Sequence, residues 1–159
     1  MTVNGDKDLR GLMRIGQICG QTLKYMLSRV EPGMTTRELD AIGADFLQRE
    51  GAQSAPIAAY KFPGCTCISV NDEAAHGVPS DKTIQPGDLV NVDVSAVLEG
   101  YWGDTGASMI VPPSRPEYER LCQWTRRGLN EGIAAAQAGK PVYNIGRAVE
   151  NVAKKGGYN

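Results

Sequence analysis

Asp93 and Asp104 lie on two segments that read as neighbouring β-strands joined by a tight turn, and that spacing crowds two carboxylates into one small space. In the first segment, Leu89 to Ala96, the residues Val90, Val92 and Val94 face one way while Asn91, Asp93 and Ser95 face the other. A turn around Leu98, Glu99 and Gly100 leads into a second strand from about Tyr101 to Val111. A two-residue loop at Leu98-Glu99 sets Asp93 directly opposite Asp104, whereas one at Glu99-Gly100 makes them diagonal neighbours on the same face. Only a loop of odd length separates them. The first register also sends Gly103, Thr105, Ala107, Met109 and Val111 to the valine side, so the apolar and carboxylate faces agree. Like charges across a sheet repel, and the usual remedies are a raised pKa or a bound metal ion. On spacing alone the pair reads equally well as two unrelated acids at the polar edge of an exposed hairpin, because Asp is common near turns.

His76 is the only histidine in the chain and sits in the turn His76-Gly77-Val78-Pro79. By residue type alone such a histidine is more often structural or solvated than catalytic. An imidazole can nevertheless donate a hydrogen bond to an oxyanion. The four cysteines, Cys19, Cys65, Cys67 and Cys122, contain no C-x-x-C pair, and we read them as reduced thiols, with Cys19 in the core.

The elements around these groups follow from periodicity. Leu9, Leu12, Met13, Cys19, Leu23, Met26, Leu27 and Val30 recur at helical spacing over residues 8–30, and Pro32-Gly33 ends that run. Thr35 and Glu38 form a T-x-x-E capping box, with Met34 and Leu39 as its staple, which predicts a helix to about Glu50 that stops at Gly51. Residues 52–66 read as an Ala- and Pro-rich loop carrying Tyr60 and Phe62, followed by a short strand over 66–70. Beyond Pro112-Pro113, Ser114 and Glu117 predict a second capping box, opening a helix through Leu121, Trp124, Leu129 and Ile133, and a last helix follows over about 144–155. This order reads as α+β, an antiparallel sheet with helices on one face.

A length of 159 residues with 42% hydrophobic and 22% charged content suits one domain with a core. Seventeen basic against eighteen acidic residues, with no basic block, give no footprint for nucleic acid or an anionic membrane. No apolar run approaches a membrane span and the first ten residues are polar, so the expectation is a cytoplasmic protein without a signal peptide.

The segments His76-Gly77-Val78-Pro79-Ser80, Gly87-Asp88-Leu89-Val90-Asn91-Val92-Asp93-Val94 and Gly100-Tyr101-Trp102-Gly103-Asp104-Thr105 together resemble the signature of type I methionine aminopeptidases, two-metal hydrolases of the pita-bread fold. The resemblance extends through Glu31-Pro32-Gly33-Met34-Thr35-Thr36-Arg37-Glu38-Leu39-Asp40 and Cys67-Ile68-Ser69-Val70-Asn71, and so over nearly the whole chain from about Leu9. It implies removal of the initiator methionine from nascent proteins, a protein-maturation step, with two divalent ions (Co, Mn, Fe or Zn) as cofactors. Asp93 would chelate one metal and Asp104 would bridge both, while His76 would contact the substrate amide without ligating metal. Asn91, Ser95 and Thr105 are candidate hydrogen-bond partners behind the carboxylates. A methionine pocket would be lined by Phe62 and Cys67, with Tyr60 a further candidate, and Ala59 falls where the family often carries another aromatic. Core packing is the competing account of Phe62 and Cys67.

The family pattern also includes a second half bearing two further histidines and two glutamate ligands, none of which can be placed here. The expectation is therefore that residues 1–159 form the N-terminal portion of a pita-bread peptidase domain, incomplete and inactive alone, and self-associating through an exposed half-sheet. The partners implied are nascent polypeptide N-termini, at the ribosome, with no nucleic acid and no membrane. Two alternatives stand beside this reading: a non-catalytic pita-bread module for binding or assembly, and a Xaa-Pro peptidase or creatinase-like enzyme, against which the segment from Cys67 to His76 weighs.

Overall fold

The computed structural model of the chain describes residues 2–158. They fall into two compact units, 1–113 and 114–159. In the first unit the chain runs through helix α1 (Asp6–Leu27), helix α2 (Thr36–Arg49), strand β1 (Gln53–Ser54), helix α3 (Ala55–Tyr60) and strands β2 (Cys67–Val70), β3 (Leu89–Leu98) and β4 (Tyr101–Ile110). The sheet is antiparallel throughout, with β1 and β2 pairing to β3 and β4 also pairing to β3.

The valine face is the core. Val90, Val92, Val94 and Ala96 are fully buried, together with Ile15 and Cys19 from α1, Leu39 and Leu47 from α2, and Ile68 and Val70 from β2. Burying side chains of this size is worth about 1.5–3 kcal/mol each before the entropy of ordering them is counted, so this layer fixes the sheet against α1 and α2. Close approach is possible because Gly103 offers no side chain to the helix: a Cβ there would stand 3.0 Å from Cys19 Sγ and 3.1 Å from Ile15. The helical stripe differs in part from the expected one, since Leu9 and Met13 are exposed at 49% and 65% while Ile15 and Ile18 turn inward.

Helix α2 starts as its sequence predicts. Thr35 takes an extended conformation, its Oγ1 accepts from the Glu38 amide at 3.2 Å, and Glu38 Oε2 accepts from the Thr35 amide at 2.7 Å. The expected loop over 52–66 is instead interrupted by β1 and α3. Ser54 closes the start of α3, its Oγ accepting from the Ile57 amide at 3.3 Å, and Pro56 occupies the first turn, where its missing amide costs nothing.

The second unit pairs helix α4 (Pro116–Ala135) with helix α5 (Tyr143–Gly156). The capping box expected at Ser114 and Glu117 is absent: Arg115 is the N-cap, without a side-chain bond, because Pro116 starts the helix and shifts the frame by one residue. Ser114 Oγ instead donates to Glu119. The helices meet through small residues, a Cβ at Gly156 lying 2.8 Å from the Trp124 ring, and Arg120 donates to the Gly156 carbonyl at 2.7 Å. Among the described residues no helix is long and apolar enough to cross a membrane.

Loss of the reciprocal cap tests how much α2 depends on it. Thr35→Ala should cost about 1 kcal/mol and lower the thermal midpoint by about 4 °C, read by circular dichroism. An unchanged midpoint would mean that packing of Leu39 and Leu47 alone fixes the helix start.

Candidate metal centre

The strands β3 and β4 decide where the carboxylates go. Leu98 pairs with Tyr101, so the turn consists of Glu99 and Gly100, both left-handed with φ of 51° and 84°. Two residues of positive φ give the turn whose twist matches the strands it joins. Of the two even registers open to the sequence the structure adopts the second: Asp104 lies opposite Ser95 and Asp93 opposite Gly106, leaving the carboxylates as diagonal neighbours on one face. On its other side Asp93 stands across from Cys67 of β2.

Ser95 Oγ donates to Asp104 Oδ1 at 3.0 Å, as expected of a supporting hydroxyl. Asn91 and Thr105 do not take that role. Asn91 Nδ2 donates to Ser108 Oγ at 3.0 Å, and Thr105, opposite Val94, belongs to the valine face. Among the described residues Asp93 Oδ1 is buried with no hydrogen-bond partner. A buried acceptor left unpaired costs roughly 1–3 kcal/mol, more when charged, so this oxygen calls for a proton or a cation. Burial, and then the charge of the neighbouring Asp104, raise the Asp93 carboxyl from 3.8 to about 6, and His76 opposes the shift. Burial, then the charges of Asp93, Asp40 and Asp104, push the Cys67 thiol up to about 11, so without a bound cation it stays protonated at neutral pH.

One cavity of about 620 Å³ collects these groups, and Tyr60, Phe62, Cys67, His76, Asp93 and Asp104 all line it. The carboxylates, the histidine and the three pocket candidates are thus brought together with Ser95, while Asn91 and Thr105 stay outside the lining; Tyr60 is 84% exposed and stands at the rim. Two parts of the wall escaped the sequence reading. Helix α3 contributes Ala55 and Pro56 beside the expected Ala59, and its signal was the Ser54 cap followed by Pro56. Trp102 also lines the cavity, and strand alternation, which puts it on the Asp104 face, could have found it.

The apolar walls are fixed by polar groups behind them. Asp40 of α2 accepts from the Cys65 and Thr66 amides at 3.0 and 2.7 Å and from Thr66 Oγ1 at 2.7 Å, which sets the entry to β2 beside Cys67. Ser54 Oγ donates to the Cys65 carbonyl at 2.7 Å, tying the start of α3 to the same loop. Lys61 ends α3 in the left-handed conformation, and Phe62 follows it into the cavity wall.

The donor set fits a divalent cation in part. Two hard carboxylates and an unpaired buried oxygen suit one, yet among the described residues no group of three or more His, Cys, Asp or Glu could hold an ion.

The model of metallopeptidase family M24 matches residues 10–159. The chain belongs to that family. It is 45% identical over 159 residues to methionine aminopeptidase 2 of Bacillus subtilis, covering 99% of this chain and 64% of that protein. It is 43% identical over 156 residues to a methionine aminopeptidase of Staphylococcus epidermidis, covering 98% of this chain and 62% of that protein. The chain thus spans a little under two thirds of the length of these curated relatives. Among solved structures, methionine aminopeptidase from Rickettsia prowazekii superposes with a TM-score of 0.92 at 32% identity, over 98% of this chain and 62% of that one. Prolidase from Pyrococcus furiosus, at 19% identity and a TM-score of 0.87, shares the fold. The architecture is accordingly α+β, half of a pita-bread fold.

The raised Asp93 carboxyl has a thermodynamic signature. The folded chain holds this proton more tightly than the unfolded one, so the associated stability is present at low pH and is lost as pH rises through about 6. In chelator-treated protein, Asp93→Asn should therefore stabilise the fold near pH 7.5, with the gain shrinking toward about pH 4.5, read as thermal midpoints across the series. A gain that does not vary with pH would sever the link to Asp93 ionisation.

Proposed function

We propose that this chain carries part of a methionyl aminopeptidase centre, which removes the initiator methionine from nascent proteins in a metal-dependent hydrolysis. The observation that carries the reading is the convergence of two carboxylates, one with a buried unpaired oxygen, and the chain's only histidine on one cavity with an apolar wall. Residues 1–159 act in this reading as the N-terminal portion of the peptidase domain, and its substrates are nascent N-termini, met in the cytoplasm at the ribosome.

Asp93 and Asp104 are the metal-holding groups, for two divalent ions drawn from Co, Mn, Fe and Zn. A bound divalent ion would lower the pKa of a water and polarise the scissile carbonyl. His76 donates to the substrate amide from the cavity edge, worth about 10²–10³ in rate if it acts as an oxyanion-type donor. Phe62, Cys67 and Tyr60 form the methionine wall, joined by Trp102: the protonated Cys67 thiol and the aromatic rings give a polarisable, apolar lining suited to a thioether. Ser95 holds Asp104 in orientation. The unpaired Asp93 oxygen argues for a ligand-binding centre rather than an inert module, since nothing in the described fold satisfies it.

The reading places the remaining ligands outside these 159 residues, so the chain alone binds metal weakly and turns over no peptide. The outer edge of β4 gives it a surface for self-association.

Manganese titration by calorimetry should show weak binding to the chain that disappears in Asp104→Asn, and in the complete peptidase the same change should abolish hydrolysis of Met-Ala-Ser. Tight binding of two ions by the chain alone would overturn the incomplete-centre reading. Unchanged turnover in Asp104→Asn would remove Asp104 from the mechanism.

A further inference from the structure

His76 is exposed, its side chain forms no hydrogen bond among the described residues, and its backbone is left-handed with φ of 54°. Something other than its own contacts must therefore bring the imidazole to the cavity. The residue ends an excursion that leaves β2 after Val70 and returns at Gly77.

The two ends of that excursion are held very differently. At the outgoing end, the Asn71 amide donates to the Leu89 carbonyl at 2.8 Å and Asn71 Oδ1 accepts from the Leu89 amide at 3.0 Å. Asn71 Nδ2 also donates to Asp88 Oδ1 at 2.8 Å, and Glu73 Oε2 accepts from the Val70 amide at 2.8 Å. Lys82 Nζ then pairs with Glu73 Oε1 at 2.8 Å. No single contact is indispensable there. Among the described residues Ala74, Ala75 and His76 form no hydrogen bond, so the return end is carried by Gly77. Its carbonyl accepts from the Ile68 amide at 2.9 Å, and its amide donates to Ser69 Oγ at 3.1 Å. The fit is tight enough that a Cβ on Gly77 would stand 2.1 Å from the Ile68 carbonyl oxygen.

Of these two bonds only one is made by a side chain. Ser69 is 2% exposed, lies opposite Asn91 in the sheet, and is two residues from Cys67 on the carboxylate face. We infer that Ser69 is a positioning residue for His76: its buried hydroxyl holds the Gly77 amide and so fixes the hinge from which the imidazole reaches the cavity. This rests on the reading of His76 as a substrate-contacting group, but its mechanical content does not. Removal of the hydroxyl leaves the Gly77 amide without an acceptor at a place water enters poorly, and the backbone at His76 can then leave its left-handed conformation.

The single histidine makes the test direct, because its ring signals in an NMR spectrum of the chain have no competitor. In Ser69→Ala the Gly77 amide should exchange about tenfold faster, and the His76 ring protons should shift and broaden. The Val70 and Asn71 amides, held by Glu73 and Leu89, should keep their protection. That pattern separates positioning from general weakening of β2. A folded variant whose Gly77 exchange and His76 signals match the parent overturns the inference, as does a loss of protection spread evenly along β2. Should Ser69→Ala fail to fold, the near-isosteric Ser69→Cys, whose sulfur is a weak acceptor, takes its place: faster Gly77 exchange with altered His76 signals supports positioning, and parent-like signals overturn it. The role of His76 itself is tested separately, by turnover of Met-Ala-Ser in His76→Ala of the complete peptidase, and unchanged turnover there would remove His76 from the mechanism without altering what the exchange data say of Ser69.

Discussion

Two carboxylates held on one sheet face by a two-residue turn are the constraint around which the first unit is arranged. The register is doubly determined. Glu99 and Gly100 take the left-handed conformations that a two-residue hairpin requires, and the same register delivers Thr105, Ala107 and Met109 to the face of Val90, Val92 and Val94. A slip by one residue would carry Asp104 into the core and the apolar residues of β4 into solvent, so burial of the valine face enforces proximity of the acids. The repulsion between Asp93 and Asp104 is thereby sustained by hydrophobic packing elsewhere. This is how a fold can hold a charge arrangement that is unfavourable in itself.

The cost is visible at Asp93. Its carboxyl is raised to about 6 and one of its oxygens is buried without a partner, while Asp104 has the Ser95 hydroxyl. The asymmetry follows from position: Asp93 is on the central strand between Cys67 and Gly106, whereas Asp104 is on the outer strand and exposed. A proton can relieve Asp93 at low pH and a cation can do so near neutrality, and the two compete for the same oxygens. The sheet thus provides a preformed demand for positive charge before any ligand arrives.

Much of this was legible because it obeys short-range rules. Alternation along β3 located both faces, the Thr35 and Glu38 pair gave the start of α2, and the motif residues Asp93, Asp104, His76, Phe62 and Cys67 do meet at one cavity. What was not legible depended on contacts remote in sequence or on competing local signals. Helix α3 is only six residues long and contains three alanines and a proline, so it shows no apolar stripe; Ser54 secures it through Cys65, eleven positions away. Leu9 and Met13 fit helical spacing but lie on the exposed side of α1, since close packing at Gly103 selects Ile15 beside the expected Cys19. At Ser114 the capping-box pattern lost to Pro116, whose fixed φ defines the first helical residue.

The groups that converge on the cavity differ in how firmly they are held, and the difference matches what the proposed function would ask of each. Asp93, Asp104 and Cys67 sit on paired strands whose opposite face is packed core, which keeps carboxylate spacing insensitive to solvent. The α3 wall, carrying Ala59 and Tyr60, is tied through Ser54 to Cys65 in the loop that Asp40 anchors, and His76 hangs on a loop whose return is secured by Gly77. A metal centre needs ligand positions fixed to a few tenths of an ångström, whereas a wall that admits a flexible thioether and a donor that follows a substrate amide benefit from some compliance. Rigid sheet beneath and tethered segments above give both within 113 residues. In the proposed reading, loosening a tether would disturb substrate recognition while leaving the carboxylate pair in place, because the tethers through Ser54, Asp40 and Ser69 hold neither Asp93 nor Asp104.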